Sequence, residues 1–168
     1  MNKNNEWYTP SNIIELAREV MGSIDTDPAS CAVAQEVVQA GQYFTEETDG
    51  LKQYWTGNVF CNPPYSAALI KKFTAKMLLE YECGNMKQGI ILTNSGTDTL
   101  WNDPLKTGLQ VYTNGRLSFR LPDGTFKGKG SRGSCITYFG DEPNRFVEVF
   151  TRNDFCWMPN QTFSCIHG

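Results

Sequence analysis

Histidine is nearly missing from this chain: the only one in 168 residues is His167. None of the six cysteines, Cys31, Cys61, Cys83, Cys135, Cys156 and Cys165, belongs to a C-x-x-C pair. A structural zinc site wants paired thiols at short spacing or histidines beside them, so no metal site is expected. No apolar run approaches the roughly 20 residues that cross a bilayer, so no membrane association is expected. Residues 1–6 are polar where a signal peptide has its apolar core. These absences argue against a membrane protein and a secreted disulfide scaffold. The expectation is a cytoplasmic protein whose thiols are reduced and mostly buried.

An excess of positive charge is also lacking. The formal net charge is −3, whereas phosphate neutralisation ordinarily asks for a basic surface. That average conceals a local cluster. Arg116, Arg120, Lys127, Lys129 and Arg132 fall in one stretch whose single acid is Asp123. Glycines are interleaved with them, and Phe119 and Phe126 lie among the cations. Arg and Lys suit phosphates, and an aromatic ring can wedge or stack at bases, so these five cations are candidate DNA contacts. The competing reading is a solvated hairpin with packed aromatics.

What the chain does have is enough apolar content, 40%, for one real core, and too little length for a second full domain. Thr9 is placed to cap a helix whose first residue is Pro10. Ile13, Ile14, Leu16, Ala17, Val20 and Met21 then recur at helical spacing up to Gly22. A short strand over 24–27 runs into Asp27-Pro28-Ala29-Ser30, and a helix over 32–40 stops at Gly41. Strand 59–61 delivers Asn62-Pro63-Pro64-Tyr65. Ser66 can cap a helix to about residue 82 with Leu69, Phe73, Met77 and Tyr81 on one face. Strands over 89–93, 109–113, 134–139 and 155–158, a broken helical segment over 97–107 and a helix over 145–151 complete the chain. Alternating helices and short apolar strands predict a single α/β domain over residues 1–168. Its sheet is mostly parallel, with antiparallel strands near the C-terminus. Ligands of such sheets sit beyond the carboxyl ends of the strands, where Asp27 and Asn62 would lie.

Asn62-Pro63-Pro64-Tyr65 suits one kind of chemistry. An aromatic amine is a poor nucleophile because its lone pair is delocalised into the ring. A catalyst can place two acceptors where the N–H bonds point as nitrogen pyramidalises, and hold an activated methyl in line with the emerging lone pair. The Asn62 side-chain oxygen and the Pro63 carbonyl can be those acceptors. Pro63 and Pro64 stiffen the turn, and Tyr65 offers a face for a base taken out of its helix.

The tetrapeptide resembles the catalytic motif of amino-methyltransferases. The wider pattern resembles the phage-type DNA adenine-N6 methyltransferase (Dam-like) family. It comprises Trp7-Tyr8-Thr9-Pro10, the turn Asp27-Pro28-Ala29, Tyr43-Phe44, Asp49-Gly50-Leu51, Trp55, the tetrapeptide, Thr97-Asp98-Thr99 and Trp101. It runs from about Trp7 to Phe139. The resemblance implies a Rossmann-like fold, S-adenosylmethionine as methyl donor and adenine in DNA as acceptor. In a chain of phage origin, the compartment is the host cytoplasm. Trp7, Tyr8, Thr9, Pro10, Asp27, Ala29, Ser30, Asp49 and Asn62 become the implied cofactor-binding residues. Thr9 would help hold the methionine end, Asp27 would accept from the ammonium, and Asp49 would take the adenine amine. Plain helix capping by Thr9, or solvated turns begun by the acids, are the simpler alternatives.

One feature departs from the usual pattern. The glycine-rich cofactor turn is replaced by Asp27-Pro28-Ala29-Ser30-Cys31-Ala32, without glycine. No acid for the cofactor ribose stands out either, Glu46 and Glu47 being the candidates. No length remains for a separate target-recognition domain, so sequence reading must be short, or supplied by loops and a second subunit of a homodimer. RNA adenine, cytosine N4, a protein glutamine amide, and an idle cofactor- or DNA-binding role remain as alternatives. Cytosine C5 chemistry is disfavoured, because it needs a nucleophilic cysteine after the proline and Cys61 precedes it.

Overall fold

The computed structural model describes residues 7–121, 125–129 and 132–157, with residues 126–129 described by backbone alone. Helices α1 (Ser11–Met21), α2 (Ala32–Val38), α3 (Ala67–Glu82) and α4 (Pro143–Thr151) alternate with strands. The strands are β1 (Thr26–Asp27), β2 (Gln42–Tyr43), β3 (Gly57–Cys61), β4 (Met86–Asn94), β5 (Leu109–Thr113), β6 (Ser118–Arg120), β7 (Phe126–Lys129), β8 (Ser134–Phe139) and β9 (Phe155–Trp157). A seven-stranded sheet has the order β2-β1-β3-β4-β8-β5-β9, and β6 and β7 form a separate hairpin. The first four strands pair in parallel. Strand β8 lies antiparallel to both β4 and β5, and β9 antiparallel to β5. Hence β5 runs with the parallel set and only β8 and β9 oppose it, giving a mixed α/β sheet.

Strand alternation sends side chains to two cores. Phe60 of β3 and Ile90 and Leu92 of β4 join Ile13, Ile14, Phe146 and Phe150 on the face covered by α1 and α4. Val59 and Cys61 of β3 and Ile91 of β4 join Trp55, Phe73 and Met77 on the face covered by α3. Each large apolar side chain so buried contributes about 1.5–3 kcal/mol of transfer free energy. Helix α3 approaches the sheet closely at Gly89, where a Cβ would stand 2.5 Å from the Met77 methyl.

Helix α1 buries all six residues of its apolar stripe and ends at Gly22, whose φ of +87° needs glycine. Its cap differs from the expectation: the Pro10 carbonyl accepts from Ile13 and Ile14, so Pro10 is the N-cap and Thr9 lies outside the helix. Helix α2 stops at Val38 because Gln39 turns left-handed, φ +47°. On α3 the buried stripe is Ile70, Phe73, Thr74, Met77 and Glu80, whereas Leu69 is exposed. A pure i, i+4 row drifts around a helix of 3.6 residues per turn; the observed mixture of threes and fours stays on one face. The thiols are less buried than expected. Cys61 and Cys135 are inside, Cys31 is half-buried, Cys83 and Cys156 are exposed, and Cys165 and His167 lie outside the described residues. Among the described residues, no helix is long and apolar enough to cross a membrane.

Candidate active site

Strand β3 ends at Cys61 between β1 and β4, and the chain leaves the sheet there at its carboxyl edge. Asn62 is half-buried, Pro63 buried and Pro64 exposed. The Asn62 amide is tied at both ends. Its Nδ2 donates to the Trp7 carbonyl at 2.8 Å and to the Thr9 hydroxyl at 3.1 Å. Its Oδ1 accepts from the Tyr65 hydroxyl at 2.8 Å, and the same hydroxyl stands 3.4 Å from the Leu92 carbonyl. Because a main-chain carbonyl only accepts, the Trp7 contact decides which end of the amide is nitrogen. One lone pair of Oδ1 is left over. Burial pushes the Tyr65 phenol well above its ordinary value, so it stays a donor. The sequence suggested a stacking face for Tyr65; the hydroxyl has this second contact.

Asp27, at the end of β1, is 3% exposed. Its carboxylate accepts from the Ala29 amide at 3.3 Å and the Gln35 side chain at 2.9 Å. Burial outweighs these bonds and pushes its carboxyl up to about 6. Gln35 also donates to the Ser30 hydroxyl at 2.7 Å, and its oxygen accepts from the Ala40 amide at 2.8 Å. One side chain therefore braces the turn that has no glycine. Sequence reasoning missed Gln35, since a polar residue on a short helix reads as solvent-facing.

The second acid turn lies against the first. A Cβ on Gly50 would overlap the Pro28 carbonyl oxygen at 1.9 Å, so this close approach requires glycine. The Ser30 amide donates to the Phe44 carbonyl and the Phe44 amide to the Asp27 carbonyl. The buried Trp55 indole donates to the Gly50 carbonyl at 2.8 Å. Asp49, with φ +51°, accepts from the Leu51 amide at 3.2 Å and pairs with Lys52 at 3.0 Å. The Lys52 contact holds its carboxyl below the usual range. Glu46 and Glu47 are both exposed. The amino-terminal segment joins the group through Tyr8, whose hydroxyl accepts from the Cys31 thiol at 3.4 Å. Trp7, Tyr8, Thr9 and Asn62 thus form one connected cluster, and Asp27, Ala29, Ser30 and Asp49 a second that touches it at Cys31.

The basic stretch is a hairpin, β6 on β7. It is docked to the same segment, because Tyr8 and Arg120 exchange main-chain hydrogen bonds of 3.1 and 3.3 Å. Phe119 does not stand ready for bases. It is 4% exposed in the core, with the Trp7 ring packed edge-on at 5.3 Å. Arg116 and Arg120 are exposed and, with Pro10, Ser11 and Asn12, border a cleft of about 320 Å³. Arg132 is also exposed. The side chains of Phe126, Lys127 and Lys129 lie outside the described part of the structure. A larger cleft of about 430 Å³, bordered by Glu19, Lys87, Asp141 and Arg145, sits near the start of β4, at the opposite end of the sheet from Asn62.

Comparison with curated proteins and with solved structures gave no match. The family model described as DNA N-6-adenine-methyltransferase (Dam) matches residues 1–154, most of the chain and every motif just located. The chain belongs to the DNA N-6-adenine-methyltransferase (Dam) family, whose activity is methylation of adenine in DNA.

Proposed function

We propose that this protein transfers a methyl group from S-adenosylmethionine to the N6 amine of adenine in DNA, from a single Rossmann-like domain, with Asn62 at the reacting centre. The observation that carries the reading is the oriented amide: Asn62 Oδ1 at the carboxyl edge of β3, with its nitrogen committed to Trp7 and Thr9. Such an oxygen accepts one N6 hydrogen, and the Pro63 carbonyl accepts the other. Nitrogen then pyramidalises and its lone pair is freed for attack. After the carbon–nitrogen bond forms, N6 must shed a proton. A neutral amide is too weak a base to keep it, so water takes it. Tyr65 presents its ring to the extruded base while its hydroxyl braces Asn62.

S-adenosylmethionine, when bound, would supply an electrophilic methyl on a sulfonium, whose carbon–sulfur bond breaks as the carbon–nitrogen bond forms and whose sulfur leaves as the neutral thioether of S-adenosylhomocysteine. The donor set fits it. The buried Asp27 carboxylate suits an ammonium and keeps a lone pair beyond those used by Ser30, Ala29 and Gln35. Asp49, held against Pro28 through Gly50, suits an adenine amine. Trp7, Tyr8, Pro10, Ala29 and Ser30 form the walls. Arg116, Arg120, Lys127, Lys129 and Arg132 hold DNA phosphates.

The test is transfer of labelled methyl, in parallel, to duplex DNA, RNA and protein. Label is expected in DNA, as N6-methyladenine. Asn62→Ala should lower the rate by about 10²–10³, the usual cost of losing a preorganised group at a reacting centre. Label confined to RNA or protein, or near-normal turnover by Asn62→Ala, would sink the reading.

A further inference from the structure

The Asn62 amide would be useless if turned over. Oxygen and nitrogen have nearly the same shape, but only oxygen can accept from an amine; the flipped amide would aim N–H donors at N–H donors. The side chain therefore has to be held in one of two similar orientations. Both of its N–H bonds are spent on the amino-terminal segment, one on the Trp7 carbonyl at 2.8 Å and one on the Thr9 hydroxyl at 3.1 Å. That segment is itself pinned, by the Tyr8–Arg120 pairing and by Trp7 against Phe119. Thr9 is 8% exposed and caps no helix, so its hydroxyl is not spent on α1.

We propose that Thr9 is a positioning residue for methyl transfer: the Trp7 carbonyl sets which end of the Asn62 amide is nitrogen, and Thr9, by accepting the second N–H, holds that amide in place with its oxygen toward the substrate amine. The family resemblance implies a cofactor role for Thr9. Its hydrogen bond gives it to Asn62, 53 residues away in the chain. The inference rests on Asn62 acting at the reacting centre. Trp7 contributes a main-chain oxygen that no side-chain substitution removes, which leaves Thr9 as the testable member of the pair.

Thr9→Val removes the hydroxyl at nearly constant shape, and Thr9→Ser keeps it. Thr9→Ala and a thermal unfolding curve guard against a variant that fails only by misfolding. Single-turnover methylation of adenine-unmethylated genomic duplex DNA is read beside calorimetric affinity for S-adenosylhomocysteine, with Asn62→Ala as reference. In Thr9→Val the rate at saturating DNA should fall about tenfold, the worth of one net hydrogen bond, with KM for DNA and affinity for S-adenosylhomocysteine unchanged. Thr9→Ser should restore it. A loss of S-adenosylhomocysteine affinity with the rate intact would make Thr9 a cofactor contact and overturn the proposal. So would a wild-type rate in Thr9→Val beside an inactive Asn62→Ala. Wild-type turnover by Asn62→Ala itself would overturn both this role and the reading on which it rests.

Discussion

The Asp27 carboxylate has to be ionised to attract an ammonium, and its burial opposes ionisation. With its carboxyl pushed up to about 6, Asp27 is mostly charged at pH 7 and mostly neutral at pH 5. The ionised form is the one that binds a cation, so affinity is present above the shifted value and lost as pH falls through it. Calorimetry with S-adenosylhomocysteine should therefore show binding about tenfold weaker at pH 5 than at pH 7. The ligand's own amine keeps its proton across that range. A flat profile would detach Asp27 from the cofactor. Asp27 and Asn62 were legible in the sequence because each stands at the end of a short strand candidate and precedes proline. Gln35 and the Tyr65 hydroxyl were not, since their contacts depend on side-chain directions that the linear chain leaves open. For Thr9 the residue was legible but its partner was not: a threonine before a proline and a helix reads as a cap.

Among the elements, the stretch read either as DNA contacts or as a hairpin with packed aromatics is a hairpin, β6 on β7, with Phe119 packed inside. Its inner face is fastened by Phe119, which belongs to the core under α1 and meets Trp7 edge-on. Phe119→Ala should cost about 3–5 kcal/mol of unfolding free energy, as deletion of a buried phenylalanine does, read from urea unfolding. A cost under about 1 kcal/mol, closer to that of a surface substitution, would mean that the ring is dispensable packing. The long helices and β4, β5 and β8 could be read from periodicity because their apolar residues are many. The strand expected over 24–27 is present as the two residues of β1, and β2, also two residues, was not read because no period shows over that length. The stretch over 100–107 reads as broken because Pro104 interrupts it, and it forms a 3-10 segment.

At the scale of the whole molecule, an acidic protein has to hold a polyanion, so its cations must act locally. Arg116 and Arg120 border a cleft beside the start of α1, and the hairpin that carries Arg120 is bonded to the segment that orients Asn62. The surface that would grip phosphates is thus one strand pairing away from the candidate catalytic amide. Removing one cation–phosphate pair should reduce the slope of log affinity against log salt by about 0.9 for duplex DNA. Replacing Arg116, Arg120, Lys127, Lys129 and Arg132 singly with Gln should flatten that slope stepwise and leave affinity for S-adenosylhomocysteine unchanged. A cation that reads a guanine edge would behave differently, costing about 1–3 kcal/mol and relaxing preference at one base. Arg116 and Arg120 suit that role because the guanidinium fork pairs in two-point fashion, whereas lysines between glycines suit phosphates. If all five variants keep the wild-type slope, the hairpin serves the fold alone. DNA must then be gripped elsewhere, and the exposed Lys71 and Lys72 on α3, soon after Tyr65, become the surface to test.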